Sequence, residues 1–209
     1  MSERETTAVN ANGRGGAQRR MVLLVGFMGA GKTTAGRRLA ARLGWRFEDL
    51  DDVIERRTGR EVKEIFRAAG EAAFRALEAE ALATMLAQND ATGEPLVLAL
   101  GGGAFVQPPN AAAVRATGHP VVFLDAAPDE LRRRCAEHGD RRPLYQDAEQ
   151  FARLYASRRA AYLAAGLRVD TTGLTVEEVV EALLRWLGIA AAPEGESSTP
   201  ASARQGHNG

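Results

Sequence analysis

The sequence predicts an α/β fold: three layers, α/β/α, built on a five-stranded parallel sheet. Two observations carry that expectation. Between residues 21 and 190, short apolar runs that read as buried strands alternate with longer amphipathic runs that read as helices, a pattern that gives a parallel sheet covered on both faces. The first strand-to-helix junction is Gly26-Phe27-Met28-Gly29-Ala30-Gly31-Lys32-Thr33. It fits the phosphate-cradling P-loop pattern G-x-x-x-x-G-K-[ST].

Taken in order, Met21 to Val25 is the first strand, and Thr34 to Leu43 the first helix, with Leu39 and Leu43 on one side and Arg37, Arg38 and Arg42 on the other. Gly44 ends that helix. Trp45 to Leu50 reads as the second strand, and Asp51 or Asp52 as the cap of a short helix, Val53 to Arg57, closed by Thr58-Gly59. Two further helices, Glu61 to Ala69 and Glu71 to Gln88, are separated at Gly70. Leu96 to Leu100 is the third strand and runs into Gly101-Gly102-Gly103. Pro109 to Ala116 is helical, Val121 to Leu124 is strand four, and Pro128 to Glu137 is helical again. Ala148 to Ala165 is a long helix, Leu167 to Asp170 strand five, and Val176 to Leu187 the last helix.

Composition bounds the function. The chain of 209 residues balances 27 basic against 27 acidic side chains, so it offers no electrostatic footprint for nucleic acid or an anionic membrane surface. No apolar stretch approaches the ~18 residues of a spanning helix. A single cysteine, Cys135, excludes an internal disulfide and suits a reducing compartment. The cytoplasm is the expected location. Residues 1–20 and 191–209 are polar, without periodic apolar pattern, and read as disordered tails around one domain at 21–190.

Ligands of parallel sheets sit at the carboxyl ends of the strands. Strand one ends in the P-loop, where Gly29, Ala30, Gly31 and Thr34 would contribute backbone N–H groups, Lys32 would reach the terminal phosphates, and the Thr33 hydroxyl would hold Mg²⁺. Of 27 basic residues only Lys32 and Lys63 are lysine, so a compact ammonium has been kept where phosphate demands one. Strand two ends in Glu48-Asp49-Leu50-Asp51-Asp52, and alternation puts Asp49 and Asp51 on one face, one toward Mg²⁺ and the other toward an acceptor hydroxyl. Strand three ends in glycines rather than in the acidic residue of a conventional metal-binding strand, which leaves Asp49 as the carboxylate for the metal. The three glycines free backbone N–H groups to approach a ligand.

Together these blocks resemble the shikimate kinase family over about residues 21–188. The matching residues are the P-loop, Asp49-Leu50-Asp51, Ile54-Glu55-Arg56-Arg57-Thr58-Gly59, Ile65-Phe66, Gly70-Glu71, Phe74-Arg75 with Glu78, Leu100-Gly101-Gly102-Gly103-Ala104, Arg142-Pro143-Leu144, and Arg158 with Tyr162. The resemblance implies a nucleoside monophosphate kinase-like P-loop fold, with substrate-binding helices at about 51–88 and a mobile lid at about 138–148. It implies transfer of the γ-phosphoryl group of ATP to the 3-hydroxyl of shikimate, with Mg²⁺, in aromatic amino-acid biosynthesis, by a monomer. Lys32, Asp51 and Arg142 would be catalytic, Asp51 holding the acceptor hydroxyls and Arg142 reaching from the lid over the transferring phosphate of ATP. Thr33 and Asp49 would hold the metal. Arg75 and Arg158 would grip the shikimate carboxylate, with Gly101, Gly102 and Gly103 beside it, and Glu78 would steady Arg75 one helical turn away.

Three segments depart from the family pattern. Tyr145 stands where leucine is common, and Ala160-Ala161-Tyr162 replaces Pro-Leu-Tyr. Seven residues before Arg142, where many members carry an adenine-stacking arginine, stands Cys135, preceded by Arg133 and Arg134; either arginine could take over the stacking, or the stacking is lost. Other readings are a kinase of gluconate or a nucleoside monophosphate, a nucleotide-dependent switch or motor, and a degenerate, non-catalytic binding module. The switch is disfavoured by the lack of an Asn-Lys-x-Asp segment, and the degenerate module by the intact Lys32, Thr33, Asp51 and Arg142.

Overall fold

The computed structural model describes residues 20–137 and 147–188. Arg142, most of the expected lid and the two expected tails, Arg20 excepted, lie outside the described residues. In chain order the elements are β1 (Met21–Val25), α1 (Lys32–Leu43), β2 (Arg46–Asp49), α2 (Leu50–Thr58), α3 (Val62–Thr92), β3 (Leu96–Ala99), α4 (Pro108–Thr117), β4 (Val121–Asp125), α5 (Pro128–Glu137), α6 (Ala148–Leu163), β5 (Leu167–Asp170) and α7 (Val176–Trp186). A short 3₁₀ turn, Ala104–Val106, follows the three glycines.

The sheet has five strands in the order β2-β3-β1-β4-β5, every neighbouring pair parallel. The expected α/β class and parallel sheet are therefore present. β1 is central and buried at every position, as are β3 and β4, which is why these strands read as unbroken apolar runs. Leu24 sits opposite Ala99 on one side, and Leu23 opposite Val121 on the other. Because all strands run the same way, their carboxyl ends, with the P-loop, Asp49, Gly101 and Asp125, open onto one edge of the sheet.

Helix packing follows the apolar stripes. α1 turns Ala35, Gly36, Leu39 and Ala40 inward, α7 turns Val179, Val180, Leu183 and Leu184 inward, and the two pack side by side, joined by Arg38–Glu177 at 3.2 Å and Arg42–Glu181 at 2.9 Å. Leu39 is fully buried, worth about 1.5–3 kcal/mol relative to exposure.

The two largest differences from the expected boundaries are the start of α2 and the end of α3. α2 begins at Leu50, not after Asp51 or Asp52, because Asp49 is the cap: its carboxylate accepts the Asp51 amide at 3.1 Å. Asp51 therefore belongs to the first turn of a helix and does not alternate with Asp49 along a strand. The segment from Val62 to Thr92 is interrupted at Gly70 (φ 80°, ψ 176°), as expected, but its second part runs to Thr92 because Leu86 and Asn89 are still buried in its last turns.

Candidate active site

The P-loop links β1 to α1 and is shaped by its glycines. Gly31 caps α1 at φ 82°, a left-handed conformation that a β-carbon disfavours. The first amide with an intrahelical acceptor is that of Ala35, bonded to the Gly31 carbonyl at 2.8 Å. The amides of Lys32, Thr33 and Thr34 come before it and are the unsatisfied donors of a helix N-terminus, ready for an anion. The Lys32 ammonium donates to the carbonyls of Gly26 and Phe27, both at 3.0 Å. Burial pushes its pKa down, against the opposing charges of Asp49 and Asp51. Lys32 thus lies within electrostatic reach of both Asp49 and Asp51.

Thr33 Oγ1 donates to Asp49 Oδ2 at 2.7 Å, and the other oxygen of that carboxylate holds the Asp51 amide. A hydroxyl and a carboxylate oxygen therefore meet at the start of α1, and both are hard donors of the kind Mg²⁺ takes.

On one side of the P-loop lies a cavity of about 600 Å³, the size of a small-molecule site. Gly29 to Ala35 form its floor, α5 one wall, and Thr171 to Val176 with Val179 the other. Arg134 is fastened across it: its Nε donates to Glu130 (2.9 Å), its Nη1 to Thr171 Oγ1 (3.1 Å) and its Nη2 to the Thr171 carbonyl (2.7 Å). Cys135 is buried behind the loop, where a β-carbon on Gly29 would come within 2.8 Å of its sulfur. The side chain fixed over the cavity is thus Arg134, while counting seven residues back from Arg142 lands on its inward neighbour.

On the other side the remaining expected residues converge. Arg75 Nη1 donates to Glu78 Oε2 at 2.8 Å, and its Nε and Nη2 donate to Glu71 at 3.2 and 3.0 Å. Glu78 is only 1% exposed. Burial pushes its carboxyl up, against the hydrogen bond and charge of Arg75 and the charge of Arg158. The three glycines pass directly beneath these groups. A β-carbon at Gly103 would run into the Arg75 guanidinium, and one at Gly101 would stand 2.7 Å from Asp51 Oδ1 and 3.1 Å from Glu78. The turn itself is ordered, with the Ala104 amide bonded to the Gly101 carbonyl (3.0 Å) and Asn110 bonded to the Ala104 carbonyl (3.2 Å). From α6, Tyr162 donates its hydroxyl to the Gly102 carbonyl, and Arg158 Nη1 approaches the same oxygen at 3.4 Å. Burial pushes the Tyr162 phenol up to about 12, against the Arg158 charge. The Arg158 guanidinium lies 5.7 Å from the centre of the Phe27 ring in the P-loop.

Asp51, Arg75, Gly101, Gly102, Gly103 and Arg158 are therefore brought together, and the P-loop with Thr33 and Asp49 separates them from the cavity. Arg142 lies outside the described residues. Among the described residues, no group of three or more His, Cys, Asp or Glu is placed to hold a metal ion. Sequence reasoning did not single out the platform role of Phe27, nor Thr171, which fixes Arg134. Neither Phe27 nor Thr171 has a local pattern beyond its place at a strand end.

The model of the shikimate kinase family matches residues 28–188. The chain belongs to the shikimate kinase family. A shikimate kinase of Geobacter metallireducens is 43% identical over 171 residues, covering 80% of this chain and 92% of that relative. One from Thermus thermophilus is 42% identical over 169 residues, covering 79% and 89%. Among solved structures, the shikimate kinase from Acinetobacter baumannii in complex with shikimate superposes with a TM-score of 0.73 at 32% identity, covering 82% of this chain and 94% of that one. Like its family, the chain is an ATP-dependent kinase. No helix among the described residues is long and apolar enough to cross a membrane.

Proposed function

We propose that this chain transfers the γ-phosphoryl group of ATP to the 3-hydroxyl of shikimate, giving shikimate 3-phosphate and ADP. The observation that carries this is the cluster of two arginines, Arg75 and Arg158, and one aspartate, Asp51, around the glycine turn. Two fixed guanidinium groups suit a carboxylate, whose two oxygens match their planar forks. A carboxylate suits hydroxyls. An acceptor with an acid at one end and hydroxyls at the other is what the cluster selects, and this favours shikimate over a nucleoside monophosphate, which carries no carboxylate.

The nucleotide lies in the cavity, its phosphates on the amides of Gly29 to Thr34 and on Lys32, its base against Arg134. A flat guanidinium held by three hydrogen bonds offers a rigid face for stacking, with little entropy left to lose. Thr33 and Asp49 fit Mg²⁺, an ion that takes few protein oxygens and keeps phosphates and waters for the rest. When bound, Mg²⁺ neutralises charge on the β- and γ-phosphates. Asp51 orients the acceptor hydroxyl toward the γ-phosphorus and takes up its proton. Because the transition state is loose, this alignment contributes more than base strength does. Lys32 follows the developing negative charge, and Arg142, which matches the family's lid arginine, adds a second positive charge toward it. The protein works as a monomer in the cytoplasm, where ATP is available.

A coupled assay of ADP release tests this with Mg²⁺ and ATP against shikimate, gluconate, nucleoside monophosphates and no acceptor. Release that depends on shikimate alone is expected. Equal release with every acceptor, or none with shikimate, would sink the substrate assignment and leave the nucleotide site standing.

A further inference from the structure

We propose that Asp125 is a positioning residue for the acceptor arginine Arg158, acting through the α6 turn that carries it. The proposal rests on the acceptor role given to Arg158 above. Asp125 ends β4 and is only 1% exposed. Its Oδ1 accepts the Tyr155 hydroxyl at 2.5 Å, and its Oδ2 accepts Arg168 Nε at 2.8 Å and Arg159 Nη2 at 3.3 Å. Arg159 Nε also donates to the Tyr155 hydroxyl at 3.1 Å. The main-chain carbonyl of Asp125 accepts the amide and hydroxyl of Thr171, at 2.7 and 3.0 Å.

A carboxylate buried this deeply carries a desolvation cost that an apolar residue at the same strand end would avoid. What the carboxylate supplies is geometry. Tyr155 and Arg159 are one turn apart on α6 and share a face, so two bonds to one fixed carboxylate set the rotation of the helix about its axis. Arg158 lies one step further around, its guanidinium over Phe27 and its Nη1 toward the Gly102 carbonyl. Tyr155 itself packs edge-on against Phe27, with ring centres 5.7 Å apart. A contiguous chain of contacts thus runs from Asp125 through Tyr155 and Phe27 to Arg158, and a small rotation of α6 would carry the guanidinium away from the acceptor carboxylate.

A double-mutant cycle with steady-state kinetics tests this, with thermal melts to confirm that each variant is folded. Asp125→Asn keeps the volume and leaves a single acceptor oxygen for three donors. It is expected to raise the KM for shikimate about tenfold, to leave the KM for ATP essentially unchanged, and to add less than about twofold in an Arg158→Ala background. Tyr155→Phe, a milder change, is expected to shift the shikimate KM in the same direction by less, and it carries the same cycle if Asp125→Asn does not fold. An unmoved shikimate KM, equal rises in both KM values, or effects that multiply independently of Arg158→Ala would overturn the proposal. Wild-type protein that turns over no shikimate would overturn the substrate assignment, and this role with it; a wild type that does, beside an unmoved variant, overturns the role alone.

Discussion

Glu78 holds Arg75 from a site that is 1% exposed, where its charge is costly and its partner is the arginine proposed to bind the acceptor. Glu78→Gln removes the buried charge and weakens the anchor, so the shikimate KM is expected to rise about tenfold or more, while the melting temperature changes little. The titration has a definite sign. Burial raises the folded-state pKa above the unfolded value, so the proton is bound more tightly by the folded chain. Its contribution to stability is full below the unfolded pKa and is lost as pH rises through the folded one. Activity moves the other way: as pH falls through the raised value, Glu78 takes a proton and loosens Arg75. A rise in shikimate KM should therefore set in above the ordinary glutamate range in the wild type and be absent from Glu78→Gln. Asp51 makes a different prediction, because its carboxylate lies by Gly101 where an acceptor hydroxyl would bind. Asp51→Asn is expected to lower kcat about 10²-fold or more and to leave the KM for ATP nearly unchanged, as read by initial rates.

At the scale of elements, the break in α3 is the feature most exposed to a single change. Gly70 adopts φ 80° and ψ 176°, a region open essentially to glycine alone, and a β-carbon there would meet nothing within 4 Å. Gly70→Ala therefore isolates backbone strain from steric clash. It should cost about 1–3 kcal/mol, read as a fall of several degrees in melting temperature, and should raise the shikimate KM, because Phe74 and Arg75 follow the break. The elements themselves are largely legible in the sequence. β1, β3 and β4 are buried on both faces and so appear as uniform apolar runs, and Gly44, Gly59 and Gly118 mark helix ends in left-handed conformations. The start of α2 is not legible, because Asp49, Asp51 and Asp52 are all competent caps. What decides among them is tertiary: Leu50 must turn inward as the first helical residue. The choice between Arg133 and Arg134 is not legible for a similar reason. Spacing from Arg142 assumes a loop length, whereas the periodicity of α5 turns Cys135 inward and Arg134 over the cavity. The role of Asp125 has no local pattern at all, since its side-chain partners are 30, 34 and 43 residues away in sequence.

For the whole molecule, strand order explains how two substrates meet. β1 lies between β3 and β4, so the loop that follows it has the glycine turn and the proposed acceptor cluster on one side and the cavity proposed for the nucleotide on the other. The two halves draw on different helices and meet at the P-loop and at the end of β4, where the Asp125 carboxylate holds α6 and its carbonyl holds Thr171. Substitutions should accordingly separate: Arg134→Ala is expected to raise the KM for ATP about tenfold with little change for shikimate, and Arg75→Ala to do the reverse, as measured by varying each substrate at saturation of the other. The most direct test of the account is the identity of the product. Protein incubated with Mg²⁺, ATP and shikimate should yield, by phosphorus NMR with proton coupling, ADP and one new phosphate monoester coupled to the proton on carbon 3 of the acceptor. ADP with inorganic phosphate and no new monoester, or a monoester on another hydroxyl, would contradict the alignment of Asp51, Arg75 and Arg158 on which the account depends.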